Sequence, residues 1–216
     1  MRILVYVALI SGTCLVAACG DAVRVVKQTI ALQEAFFRQI DKRSPTPEIR
    51  NTLRALARSG AGDSVRLLVA EGLVRLSDSS LIHRMELMSV MLDGSEVTIC
   101  AALSRGTPGS GQMTLAMAEL EGQDLEDWAG LLIDAQIASL EQRPASHVSA
   151  EALANSVQTA IANLPDHEQT RITAIMSRFQ TASDADACWA GRVLFQQGVA
   201  LTEPERSQMA RGLVEP

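Results

Sequence analysis

The chain has 216 residues, of which 47% are hydrophobic, 20% charged and 3% aromatic. That apolar content excludes a largely disordered chain, because enough surface is available to offset the entropy of ordering, and seven Pro with 14 Gly exclude collagen-like or linker-like composition. A net charge of −6 at pH 7 excludes a non-specific nucleic-acid binder, which needs a basic face to displace phosphate counterions, so no nucleic-acid partner is expected.

In chain order, the first feature is a single positive charge at Arg2 followed by an uncharged, mostly apolar run from Ile3 to Val16. This is a basic n-region and an h-region, the layout of a secretory leader. The run is too short to span a bilayer comfortably, which takes about 20 apolar residues. It ends in Val16-Ala17-Ala18-Cys19-Gly20: an aliphatic residue, two small residues, then Cys. That ending resembles the lipobox of bacterial lipoproteins.

The resemblance covers residues 1–19 and says nothing about the fold beyond them. It implies cleavage before Cys19, acylation of Cys19, and a mature chain of 19–216 anchored to a membrane through its acyl chains. Two or more such chains hold a protein stably where one does not. Cys14 is the poorer candidate because Thr13 precedes it. In lipoproteins of bacteria with two membranes, Asp directly after the Cys favours retention in the inner membrane. Here Gly20 follows and Asp21 comes one place later, so the expected location is the outer membrane, facing the periplasm.

After processing, Cys100 and Cys188 remain. In an oxidising compartment a disulfide between them is the economical expectation, closing a loop of about 90 residues for roughly 4–5 kcal/mol of stabilisation. The alternative is two separate buried thiols acting as small hydrophobes.

From Asp21 onward nearly every segment has helical period, and none alternates as a strand does. Val26, Ile30, Phe37 and Ile40 form a first stripe, between Asp21 and Lys42. After the break at Arg43-Ser44-Pro45, Thr46-Pro47-Glu48 reads as cap, first-turn proline and acidic first turn. Asp63 or Ser64 is the expected cap of a third helix, and Ser79 or Ser80 of a fourth; a short fifth helix carries Cys100. Gly106-Thr107-Pro108-Gly109-Ser110-Gly111 is the clearest loop and a candidate subdomain boundary. Further helices are expected from Met113, from Asp124, from Ser149 and from Ser183, with capping boxes at Asp166/Gln169 and Thr202/Glu205. The fold expected is all-α, a compact bundle of about ten helices forming a single mature domain, or in part a solenoid.

Recognisable chemistry is sparse. The glycine-rich loop is followed by Gln112 and lacks the Gly-Lys-Ser/Thr ending of a phosphate-binding loop. His83, His147 and His167 have no ligand partners at helical spacing, and Ser110 is not in a nucleophile elbow, so neither a metal nor another cofactor is expected. Two surface candidates remain. Glu119, Glu121, Asp124, Glu126 and Asp127 form an acidic cluster suited to a basic protein partner, or simply a solvated face. Arg50, Arg54 and Arg58 recur every four residues and form a ridge for anionic headgroups, or an ordinary exposed helix face. The expectation is a lipid-anchored, non-catalytic helical binding module of the envelope, in its most specific form an inhibitor or immunity protein against an envelope-directed toxin. The rivals are an envelope assembly or structural factor and an enzyme built from scattered carboxylates.

Overall fold

The computed structural model describes residues 16–59 and 62–214. The described residues form eleven α-helices and one 3-10 turn: α1 Val16–Arg43, α2 Pro47–Ser59, α3 Gly62–Leu73, α4 Asp78–Gly94, α5 Val97–Ser104, α6 Ser110–Met117, α7 Gly122–Leu140, α8 Ala150–Ala162, α9 Asp166–Met176, the 3-10 turn Phe179–Thr181, α10 Asp184–Ala200 and α11 Glu205–Gly212. Most of the expected leader, residues 1–15, lies outside the described residues, as does the Cys19 side chain; the backbone of Cys19 is helical, within the first turns of α1.

Several helix starts follow the caps read from the sequence. Thr46 Oγ1 accepts from the Ile49 amide at 3.3 Å, Ser149 Oγ from Ala152 at 3.1 Å and Ser183 Oγ from Asp186 at 3.2 Å. Others shift. The α4 cap is Ser77, not Ser79 or Ser80; its hydroxyl accepts from the Ser80 amide at 3.2 Å, and Asp78 supplies the acidic first turn. The glycine-rich loop ends early: α6 opens at Ser110, and the Gly109 amide donates to Gln112 Oε1 at 2.9 Å. Neither expected capping box forms. Only residues 163–165 separate α8 from α9, so the Gln169 side chain reaches back and its Nε2 donates to the Leu164 carbonyl at 2.7 Å. At α11 the carboxylate of Glu203, not Glu205, takes the Ser207 amide at 3.2 Å. The helices α3 and α7 open at Gly62 and Gly122, which moves Asp63 and Asp124 from cap to first turn.

The elements pack as a bundle rather than a solenoid, because the largest interfaces join helices far apart in sequence: α3 and α1 both on α7, and α10 on α5 and α4. The core is built on α4 and α7, which bury apolar residues on more than one face. Leu81, Met85, Leu87, Met88, Met91 and Leu92 of α4 are buried, as are Leu125, Trp128, Leu131, Ile133 and Ile137 of α7. The stripe of α1 divides: Ile40 is buried and Phe37 half-buried, while Val26 and Ile30 are 59% and 53% exposed. Ile40 joins Leu53, Ile133 and Ile137 in a small second core uniting α1, α2 and α7.

Two helix pairs approach through glycine. A Cβ built on Gly72 of α3 would overlap the Ala135 carbonyl of α7 and lie 2.9 Å from its Cα, so the two backbones touch there. A Cβ on Gly191 of α10 would overlap the Ser104 hydroxyl of α5. Three residues before Gly191, Cys188 is bonded to Cys100, which joins the same two helices with 5.0 Å between Cα atoms. The C-terminal helix is fastened by Arg211. Its guanidinium donates to Asp78 Oδ1 at 3.0 Å and to the carbonyls of Ser146 at 3.1 Å and Leu76 at 3.2 Å, tying α11 to the turn before α4 and the segment before α8.

Candidate functional site

The residues of the acidic cluster sit around the α6–α7 junction, and the structure separates them by what they do. Glu126, on the second turn of α7, faces α1: it accepts from Arg38 Nε at 3.0 Å and from Gln39 Nε2 at 2.8 Å. The Arg38 hydrogen bond, followed by that of Gln39, holds its carboxyl below the usual range despite some burial. Asp127 faces α4 and accepts from His83 Nε2 at 3.2 Å, while Gln123 donates to it at 2.7 Å. Glu119 lies over Gly94, where a Cβ would come within 2.8 Å of its Oε2. Glu121 and Asp124 are exposed and form the outward part of the cluster.

Glu126 belongs to a longer chain of polar contacts along the α1–α7 seam. Gln39 takes an Arg43 Nε hydrogen bond at 2.7 Å, and Arg43 also pairs with Asp134. Arg43 lies flat across Gly130, where a Cβ would meet its Nη2 at 2.6 Å. Burial pushes the Asp134 carboxyl up, against the pull of the Arg43 charge. The sequence alone does not bring Arg43, Gln39 and Asp134 together. Arg43 looked like part of a break but is the last residue of α1, and nothing local marks a pairing across 91 residues.

The arginine ridge is also divided. Arg54 is tied back to α1 by Asp41 at 2.6 Å. Arg50 is half-buried and its Nε has no hydrogen-bond partner among the described residues, while Arg58 is exposed. Of the three histidines, His83 bridges Glu86 at 3.0 Å on its own helix and Asp127 on α7. The Glu86 hydrogen bond raises its pKa most; burial opposes this, and Asp127 adds to the rise. Among the described residues no group of His, Cys, Asp and Glu is arranged to hold a metal ion, and no helix is long and apolar enough to cross a membrane.

One apolar groove of about 320 Å³ opens between α1, α2, α3 and α7. Leu32, Phe36 and Phe37 of α1, Leu53 of α2, Val65 of α3 and Ile133 of α7 line it, with Gln33 and Gln136 as polar points. A second, of about 470 Å³, runs between α8 and α9 past Val157, Ile161 and Met176. Neither gathers nucleophile, base and orienting group in the way acid–base or covalent catalysis requires.

No protein-family model matches the chain, and no curated protein or solved structure is significantly similar to it.

Proposed function

We infer that the chain is a lipid-anchored, non-catalytic helical binding module of the bacterial cell envelope. The observation that carries this reading is the pairing of Cys100 with Cys188. The two cysteines downstream of the lipobox-like ending are joined to each other, as suits an oxidising compartment, which leaves Cys14 to the leader and Cys19 to the lipid. The spent carboxylates favour binding over chemistry: Glu126 and Asp127 are taken up by Arg38, Gln39 and His83 as contacts between helices. What faces outward is Glu121 and Asp124 on a chain of net charge −6, which becomes one unit more negative when Arg2 leaves. Such a surface steers a basic partner. In its most specific form the module captures a basic, envelope-directed toxic enzyme as its antidote. The assembly-factor reading has less support, since Arg54 of the ridge is engaged by Asp41.

The test is to purify the protein from membranes of its own cell in mild detergent and analyse both its N-terminal peptide and what it retains. The expected peptide begins at acylated Cys19. The expected companion is a basic envelope protein whose retention falls when Glu121→Gln and Asp124→Asn are combined. A chain still beginning at Met1 refutes the anchor. An acylated protein that retains no partner refutes the binding role.

A further inference from the structure

Ahead of Ala35, the described side chains of α1 are exposed or half-buried. Over its 28 residues α1 runs unbroken from Val16 to Arg43, about 42 Å of helix, yet its first buried described side chain is Ala35. Val26, Lys27, Thr29 and Ile30 are all exposed. Residues three, four and seven apart share a helix face. Positions 19, 23, 26, 30 and 37 therefore fall on one stripe, which begins at the expected acylation point, passes two strongly exposed β-branched residues and ends at Phe37 on the rim of the α1–α2–α3–α7 groove. Beside the proximal part of this stripe the charge is basic: Lys27 adjoins Val26 and Ile30 by register, no acidic residue occurs between Ala22 and Gln33, and Glu34 follows only where the stripe nears Phe37.

We propose that this stripe of α1 lies in the headgroup region of the membrane that carries the Cys19 acyl chains, with Val26 and Ile30 turned into the lipid and Lys27 toward anionic headgroups. The inference rests on the lipid-anchor reading and adds to it the orientation of the body. Three observations select the lipid surface as the occupant. Position 19 is on the same stripe as Val26 and Ile30, so acyl chains entering the bilayer from there draw that face with them. The flanking charge is basic, which suits anionic lipid. A second copy is a poor occupant: a stable protein interface takes about 800 Å² from each partner, far more than two exposed side chains supply.

The geometry follows from rigidity. Ile30 is about 16 Å along the axis from position 19, while amphipathic helices bury their apolar face only about 5–10 Å deep. Both ends of the stripe reach lipid only if α1 lies along the surface rather than standing on it. No proline interrupts the helix before Pro45, so the attitude of α1 sets that of the whole bundle.

The test uses the full, membrane-purified protein in phosphatidylethanolamine–phosphatidylglycerol vesicles. Single cysteines are introduced as Val26→Cys, Ile30→Cys and Gln28→Cys and labelled with bimane, Cys100 and Cys188 being bonded to each other. Position 28 falls on the opposite stripe by helical register. With brominated lipids, quenching at positions 26 and 30 is expected to exceed that at position 28 at least two-fold. Equal quenching at the three positions, or none, in protein whose mass shows acylated Cys19 overturns this inference and leaves the anchor standing. Unacylated Cys19 overturns both. Efficient disulfide cross-linking of Val26→Cys between two copies assigns the stripe to a dimer and overturns the lipid assignment.

Discussion

Replacing Gly72 with alanine adds one methyl group at the point where α3 meets α7. The added carbon would overlap the Ala135 carbonyl and sit 2.9 Å from the Ala135 Cα. The obstructing atoms are backbone in the middle of a helix, so no rotamer change relieves them; α3 must move away. Overpacking of this kind costs about 1–3 kcal/mol and more where the neighbour is rigid, while alanine recovers about 1 kcal/mol of helix propensity relative to glycine. With a rigid obstacle the overpacking cost sits at or above the top of its range, and a net loss of about 2 kcal/mol is expected. For a urea slope of about 2 kcal/mol per M, the unfolding midpoint falls by about 1 M. Gly111→Ala is the control, because nothing lies within 4 Å of a Cβ built there; it is expected to raise the midpoint by up to about 0.5 M through reduced unfolded-state entropy. The assay is urea unfolding of both variants beside the parent protein, followed by far-ultraviolet circular dichroism. If Gly72→Ala is as stable as Gly111→Ala with an unchanged slope, α3 and α7 do not touch backbone to backbone and the packing described for the groove between them is wrong.

Other perturbations act on the fastenings between distant elements. Arg211→Met keeps an apolar stem but leaves the Ser146 and Leu76 carbonyls and Asp78 without their donor; a loss of about 2–3 kcal/mol in urea unfolding is expected, and a change under 0.5 kcal/mol would contradict the clamp. Cys100→Ser removes a bond that spans 88 residues of sequence, for which loop-closure entropy predicts a cost of about 4–5 kcal/mol; unchanged thermal stability and unchanged non-reducing mobility would mean that the bond does not form. The raised pKa of His83 has a defined sign: its contribution is complete below the unfolded value of about 6.5 and disappears as pH rises through the folded value. Stability measured between pH 6 and 8.5 should thus decline more in the parent than in His83→Gln, and parallel profiles would show that the contacts to Glu86 and Asp127 contribute nothing. Glu126 has the opposite sense, since its pKa is lowered; Glu126→Gln should reduce the loss of stability as pH falls through the acid range, and an unaltered acid limb would argue against its pairing with Arg38.

What could be read from the sequence was whatever is written locally. Thr46-Pro47-Glu48, Ser149 and Ser183 each place a short side chain just ahead of a run of good helix formers, and a cap needs only three or four residues to declare itself. The serine-rich stretch 77–80 points to Ser79 or Ser80 as readily as to Ser77, because all three are competent caps; the choice depends on where the following helix must place Leu81 and Met85 in the core. The disulfide was legible by subtraction, because the expected leader and the expected acylation site account for Cys14 and Cys19. The α1–α7 polar seam was not. Glu126 and Asp127 stood out as members of a charge cluster, but their partners Arg38, Gln39 and His83 lie 44 to 88 residues away on faces that only the packing brings together. Gly191, inside a helical pattern, points to close helix–helix contact or a kink, and the structure has the contact, against Ser104 of α5; Gly72 carries no such local sign.

The covalent link between α5 and α10 has a consequence for proteolytic damage. The connection from α7 to α8 runs exposed from residue 141 to 147, and Gln142 there has a positive φ of 51°. It is the natural place for a nick. A cut at that point divides the chain between Cys100 and Cys188, and the disulfide still holds the two fragments together. The product keeps its parental mass apart from one added water, and migrates as one band without reductant and as two with it.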